Sequence, residues 1–153
     1  MQDIERLLNN LNKLNINDIF YSLWSDNKVQ NYIIKLNTSG EKTSQLYSLG
    51  VDANGVALGD YTFNTIQMKL AGDGNKRVDH ITLTDSGDFY KSFVVAPNKK
   101  GFELKADPIT DDGTNLFDRF GEDVVGLTKD NQKLLIGFIE SDFNKELEKR
   151  LLQ

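Results

Sequence analysis

The chain has no cysteine, and that absence excludes a disulfide framework, thiolate metal sites and a thiol nucleophile. It has a single histidine, His80, so an all-nitrogen metal site or a His-rich catalytic centre has too few ligands. Two prolines and no low-complexity tract argue against a disordered linker. No apolar run approaches the roughly 20 residues that a membrane-spanning helix needs. The first six residues, Met1 to Arg6, lack the basic start and apolar core of a secretion signal. Positive charge is also in short supply: 18 Lys and Arg face 23 Asp and Glu, for a net charge of −5. The densest basic points are only pairs, Lys99-Lys100 and Lys149-Arg150. A duplex-binding face that neutralises phosphates is therefore not expected, and neither sequence-specific nucleic-acid binding nor a membrane partner is predicted.

What is present suits one domain of 153 residues, long enough to bury a core without a metal or a cross-link. Ile4, Leu7, Leu8, Leu11 and Leu14 recur at helical spacing and predict an amphipathic helix over residues 2–14. Two further sets continue the pattern: Ile16, Ile19, Phe20, Leu23 and Trp24, then Val29, Tyr32, Ile33 and Leu36. Asn17 and Asp26 are their expected N-caps. The run Asn37 to Gly40 stops the helical pattern. Residues 40–62 are rich in turn formers, a short helix is expected from Thr62 to about Leu70 with Ile66 and Leu70 on one face, and residues 71–77 read as an exposed mobile loop.

Beyond it, Thr84 or Asp85 is placed to cap a short helix running to Ser92. Residues 93–96 and 101–106 read as the strands of a hairpin, turning through Pro97 to Gly101. A short helical piece from Leu116 to Phe120 follows. Thr128 then caps a long final helix whose apolar row is Leu135, Ile139, Phe143, Leu147 and Leu151, widened by Leu134 and Phe138. The row reads first as a core stripe; its last two turns, with Phe143, Leu147 and Leu151, are the expected subunit interface. The fold class is α+β: helices at both ends, a small antiparallel sheet or hairpin between them, and a long C-terminal amphipathic helix. Residues 1–37 form the helical N-terminal region, 38–80 a loop-rich arm, and 81–153 the hairpin plus final helix of a single domain.

Catalytic patterns are sparse. His80 follows Asp79 beside a Gly-containing loop, but no nucleophile elbow surrounds Ser86 or Ser92, and an exposed loop histidine is the simpler account. Asp52-Ala53-Asn54-Gly55 places its glycine at the fourth position and Phe63 at the twelfth, which fails the calcium-loop pattern and fits a tight turn. Asp107 to Gly113 reads as a solvated turn. Among the 23 acids nothing selects a general acid–base pair. No catalytic, metal-binding or cofactor-binding residue is assigned, and the expectation is a protein that is not an enzyme.

Three motifs and their order carry a resemblance. Gly50 to Gly55 leads into Tyr61-Thr62-Phe63-Asn64-Thr65-Ile66-Gln67-Met68-Lys69. Then come Leu83-Thr84-Asp85-Ser86-Gly87-Asp88-Phe89-Tyr90-Lys91-Ser92-Phe93, a hairpin, and Val124-Val125-Gly126-Leu127-Thr128 opening the final helix. In this order, over residues 45–153, the chain resembles the tail-completion and virion-morphogenesis proteins of tailed bacteriophages. Two departures are visible: Asp88-Phe89 stands where that family has a basic residue then Leu, and Phe120-Gly121-Glu122-Asp123 replaces a Pro-Ala-Arg-Pro stretch. The resemblance implies a virion structural protein at the head–tail junction, made in the bacterial host cytoplasm. It further implies a homo-oligomeric ring of about 6 or 12 copies that meets portal, adaptor or tail proteins. The motif residues Leu83, Asp85, Ser86, Gly87, Phe89, Ser92, Gly126 and Leu127 then carry structural roles: Leu83 and Phe89 anchor a short helix to the sheet, Asp85 or Ser86 satisfies its free amides, and Gly87 permits a close backbone approach. Two other readings compete. One is a small soluble protein-binding module that docks through its C-terminal helix; the other is a carboxylate-dependent hydrolase, which would show a raised carboxylate pKa.

Overall fold

The computed structural model describes residues 2–72 and 77–153; residues 73–76 of the expected 71–77 loop lie outside the described residues. Three helices open the chain: α1 (Gln2–Lys13), α2 (Ile16–Trp24) and α3 (Asn27–Thr38). Asp26 caps α3 as expected, its Oδ1 accepting from the amides of Lys28 and Val29 at 2.7 and 3.4 Å. The cap of α2 is Asn15 rather than Asn17. Asn15 is extended and its Oδ1 accepts from the Asn17 amide at 3.0 Å, while Asn17 already lies inside the helix. A cap must keep a non-helical backbone so that its side chain can reach back to the free amides, and only the residue before Ile16 does so.

A single π-helical turn (Gln45–Leu49) follows, ended by Gly50 in the left-handed conformation, and then α4 (Phe63–Ala71), capped by Thr62. The short helix α5 spans Asp88–Lys91. Neither Thr84 nor Asp85 caps it. Gly87 is left-handed at φ 83°, so the helix cannot extend back through it, and Thr84 uses its hydroxyl on Thr82 instead. Strands β1 (Val94–Asn98) and β2 (Gly101–Lys105) pair antiparallel in one hairpin, turned by Lys99 and Lys100 with Asn98 Oδ1 accepting from the Lys100 amide at 2.8 Å. The register sets Val95 opposite Leu104 and Pro97 opposite Phe102, so these four share the inward face. Val94, Glu103 and Lys105 take the outward one. Pro97 is tolerated because a two-stranded ribbon has only edge strands. Then come α6 (Leu116–Phe120), a 3₁₀ turn (Glu122–Val124) and α7 (Lys129–Leu152), with Thr128 Oγ1 accepting from the Asn131 amide at 3.2 Å. The fold is α+β.

Two apolar clusters form the core. The first joins Ile19 and Leu23 of α2, Val29, Ile33 and Leu36 of α3, Val95 of β1, Leu127, and Leu135 and Ile139 of α7. An aromatic layer seals its edge: Phe20 stacks on Phe143 at 5.0 Å, Trp24 tilts onto Phe102 at 5.1 Å, and Tyr32 lies on Phe138 at 3.9 Å with planes 8° apart. The second gathers Leu46, Phe89, Phe93, Leu116 and Val124. Ile34 and Leu104 pack against both, so the clusters are continuous. Leu46 is fully buried, as are Ser44 and Gln45. The π-turn in the middle of the segment expected to be an arm is therefore core, because its side chains fill the gap between α3 and the start of α7.

Along α7 the row behaves as a core stripe for its first half. Phe143 and Leu147 also pack inside the chain against the first cluster, and Leu151 is half-buried with its carbonyl accepting from Asn10 Nδ2 at 3.0 Å. Much of the apolar area expected at a subunit interface is therefore turned toward this chain's own helices. Leu134 does not widen the stripe; it is exposed, and Asn131 takes the buried place one turn before Leu135. Leu70 of α4 is likewise exposed, and none of the α4 side chains is buried.

Candidate functional site

Of the residues singled out, Leu83, Asp85, Ser86, Gly87 and Phe89 lie along one side of a groove. Its other walls come from α4 and from residues 110–120, and its volume is about 510 Å³. Phe89 anchors α5 in the second core, its ring 5.2 Å from that of Phe93, and Leu83 packs against the same cluster. Ser86 Oγ accepts from the Asp88 amide at 3.3 Å, which is the amide-satisfying role expected of Asp85 or Ser86; Asp85 itself is exposed on the rim. Ser92 fastens the far end: its hydroxyl donates to the Phe89 carbonyl at 2.7 Å and accepts from the Asp107 amide at 2.8 Å. Gly87 serves differently from expectation. A Cβ there would meet nothing nearer than Lys91 Cε at 3.9 Å, so its left-handed backbone, not a close approach, requires glycine.

The close approach occurs at Gly126. A Cβ at that position would lie 2.7 Å from Ala53 Cβ. The Asp52–Gly55 turn docks here: Asp52 Oδ1 accepts from the Asn54 and Val56 amides, the Ala53 amide donates to the Asp123 carbonyl at 2.8 Å, and Asn54 Nδ2 donates to Asp123 Oδ2 at 2.9 Å. Leu127, next in the chain, is buried in the first core. Gly126→Ala is expected to cost about 1–3 kcal/mol through overpacking against a backbone-tethered turn. Thermal unfolding checks this, and the double variant Gly126→Ala/Ala53→Gly should recover most of the loss.

A buried hydroxyl network underlies the groove. Thr82 is fully buried; its amide donates to Tyr61 Oη at 3.0 Å, its hydroxyl lies 2.7 Å from that of Thr84, and its carbonyl accepts from Tyr90 Oη. Burial, and then the neighbouring Tyr61 and Tyr47, pushes the Tyr90 phenol above its ordinary range, so it acts as a fixed donor. Lys69 Nζ sits 4.5 Å over the Tyr61 ring and 3.5 Å from the Thr84 carbonyl. Leu83 stands at φ 57°, the one non-glycine residue with positive φ among the described residues. Such a conformation persists only where surroundings hold it, here the Thr82 hydrogen bonds on one side and the second core on the other.

His80, expected to be an exposed loop residue, is mostly buried. Its Nε2 is 3.0 Å from the Tyr47 carbonyl and its Nδ1 3.3 Å from Asp79 Oδ2. Its ring lies over Gly50, where a Cβ would come within 2.3 Å of Cδ2. Asp79 is held down at about 2 chiefly by its hydrogen bonds from the Arg77 guanidinium, at 2.9 and 3.1 Å. Both ring nitrogens of His80 are thus occupied by the π-turn and by Asp79. The Ser92 hydroxyl is committed to two backbone groups, and that of Ser86 to the amide and carboxylate of Asp88. Of the groove's carboxylates, Asp88 is held low by the Ser86 hydroxyl and then by Lys91, and Asp112 by the Thr110 hydroxyl and the Thr114 amide; both directions keep the acids ionised. Among the described residues no three metal-ligating side chains converge.

Sequence reasoning did not find a second structural seam. Gln45 Oε1 accepts from the Thr128 amide at 2.9 Å, Asn131 Nδ2 donates to the Leu36 carbonyl at 3.0 Å, and Ser44 Oγ donates to the Asn37 carbonyl at 3.0 Å. These polar side chains close the end of α3 and the start of α7, where helix termini leave free backbone groups. No helix among the described residues is long and apolar enough to cross a membrane. No protein-family model matches the chain, and neither a curated protein nor a solved structure is significantly similar to it.

Proposed function

We propose that the chain is a structural, non-enzymatic subunit of a tailed-phage particle that joins a ring at the head–tail junction. The reading rests on the ordered motifs of residues 45–153 and on how their residues are used. Leu83, Ser86, Gly87, Phe89, Ser92, Gly126 and Leu127 all hold backbone segments together, and their polar atoms are spent on that work. The observation that carries it furthest is the amount of apolar surface left uncovered on two helices. Ile4, Leu8 and Leu11 of α1 and Phe63, Met68 and Leu70 of α4 are all more than half exposed. Surface of that kind, gathered on helices, marks places where other protein is meant to sit.

A ring subunit needs two different patches, each meeting the other on a neighbour. The exposed face of α4, with Phe63, Met68 and Leu70, supplies a candidate for one of them. The alternative, a module that docks a partner through the C-terminal helix, has less to work with, because Phe143 and Leu147 are engaged with the first core. The experiment is co-expression with the portal, adaptor and tail proteins of the parent phage, followed by sizing and mass spectrometry of purified particles. The expected outcome is a higher oligomer on a portal or tail partner and the chain present in particles. A chain that remains monomeric with those partners and is missing from particles defeats the reading.

A further inference from the structure

The apolar face of α1 is helix surface that this chain leaves largely uncovered. Ile4, Leu8 and Leu11 are 64, 56 and 53 % exposed, and Leu7 at their edge is 39 % exposed. None of the four belongs to either core cluster, and α1 is tied to the rest of the chain along α7, where Asn10 meets the Leu151 carbonyl. The four residues, at helical spacing, share one face of α1 that the rest of the chain leaves substantially open.

We infer that this face pairs with the same face of a second copy, α1 against α1 and antiparallel. Two features of the helix select that occupant and that direction. The positions 4, 7, 8 and 11 are symmetric about the midpoint between Leu7 and Leu8. An antiparallel copy thus lays Ile4 on the partner's Leu11 and Leu7 on the partner's Leu8, and every apolar residue finds another. The charges agree with this direction. Asp3 and Glu5 occupy the first turn and Lys13 the last. Antiparallel pairing brings each Lys13 beside the partner's acidic turn and opposes the helix dipoles, whereas parallel pairing stacks acid on acid. With Arg6 the helix carries two acids and two bases, so it offers no net positive charge to an anionic membrane surface.

This inference is independent of the ring reading. A two-fold contact closes on itself and cannot propagate around a ring, so any ring must also use a second, different contact. The test exploits the absence of cysteine. Ile4→Cys and Leu11→Cys full-length chains are purified separately, mixed and oxidised. The mixed disulfide should exceed either homodisulfide well beyond the statistical excess that random coupling of the two chains gives. A product mixture at or below that statistical ratio overturns the antiparallel pair. In parallel, sedimentation of the unmodified chain should show a concentration-dependent dimer, and Leu8→Glu should weaken it by about 100-fold. Because Leu8 is exposed within the chain, the same variant should leave the melting temperature unchanged when both chains are measured at concentrations too low for the dimer to form. A strictly monomeric unmodified chain, or a dimer indifferent to Leu8→Glu, overturns the proposal.

Discussion

Replacing Gly50 by alanine should destabilise the chain by about 2–5 kcal/mol. Two costs combine. Gly50 is at φ 62°, and an L side chain there costs roughly 1–2 kcal/mol. Its Cβ would also meet His80 Cδ2 at 2.3 Å and Cγ at 2.8 Å, an overlap that forces the ring off the Tyr47 carbonyl or moves the π-turn, at about 1–3 kcal/mol. For a chain of this size the melting temperature should fall by roughly 5–15 °C. The partition is measurable. In a double-mutant cycle with His80→Ala, the steric part should vanish while the backbone part stays, leaving a coupling of about 1–3 kcal/mol. A Gly50→Ala variant that melts within a degree or two of the unmodified chain would mean that His80 does not sit over Gly50.

Leu46→Ala should be of similar size, about 2–5 kcal/mol, because it empties a fully buried site in the second core. Leu49, three residues on in the same π-turn, is half exposed, and Leu49→Ala should change stability by no more than about 0.5 kcal/mol. Chemical denaturation of both variants gives the contrast directly. The pair separates a core π-turn from an arm: an arm would lose little at either position. Equal small effects at 46 and 49 would place this segment outside the core.

The contrast between these two residues shows what was legible in the sequence. The helical period of residues 4–36 and 135–151 marked the end helices, and Leu116–Phe120 was recognisable as a short helical piece within a turn-rich stretch; the structure shows Asn115 and Gly121 bounding it. Caps with a clear pattern, Asp26 and Thr128, were readable; Asn15 was not, because an asparagine on either side of Ile16 offers the same chemistry and only the backbone conformation chooses. The π-turn left no period to read, and Leu46 and Leu49 look alike without their neighbours. Buried polar groups were the largest gap. Gln45, Thr82 and Asn131 are inside because a backbone carbonyl, an amide or another hydroxyl awaits each, and those partners stand 83, 21 and 95 residues away. His80 belongs with them: its two neighbours, Asp79 and the Tyr47 carbonyl, are adjacent in one case and 33 residues distant in the other.

Of the candidate site, the sequence supplied the residues but not their joint role. Leu83, Asp85, Ser86, Gly87 and Phe89 were visible as a motif, yet only the fold brings them to one groove with α4 and the 110–120 segment. Periodicity also identified α1 as amphipathic without saying whether its apolar side faces this chain. The structure leaves that side open at Ile4, Leu8 and Leu11 and turns Phe143 and Leu147 of the C-terminal helix inward.

In the proposed function this polypeptide contributes shape and contact surface to a larger particle. Electron cryo-microscopy of the particle, with density fitted by this chain, tests that role. The expected result is a closed ring of copies at the head–tail junction, with α1 and α4 covered by neighbouring protein. Particles whose neck contains no density for this chain, or copies whose α1 and α4 faces remain open to solvent, would contradict it.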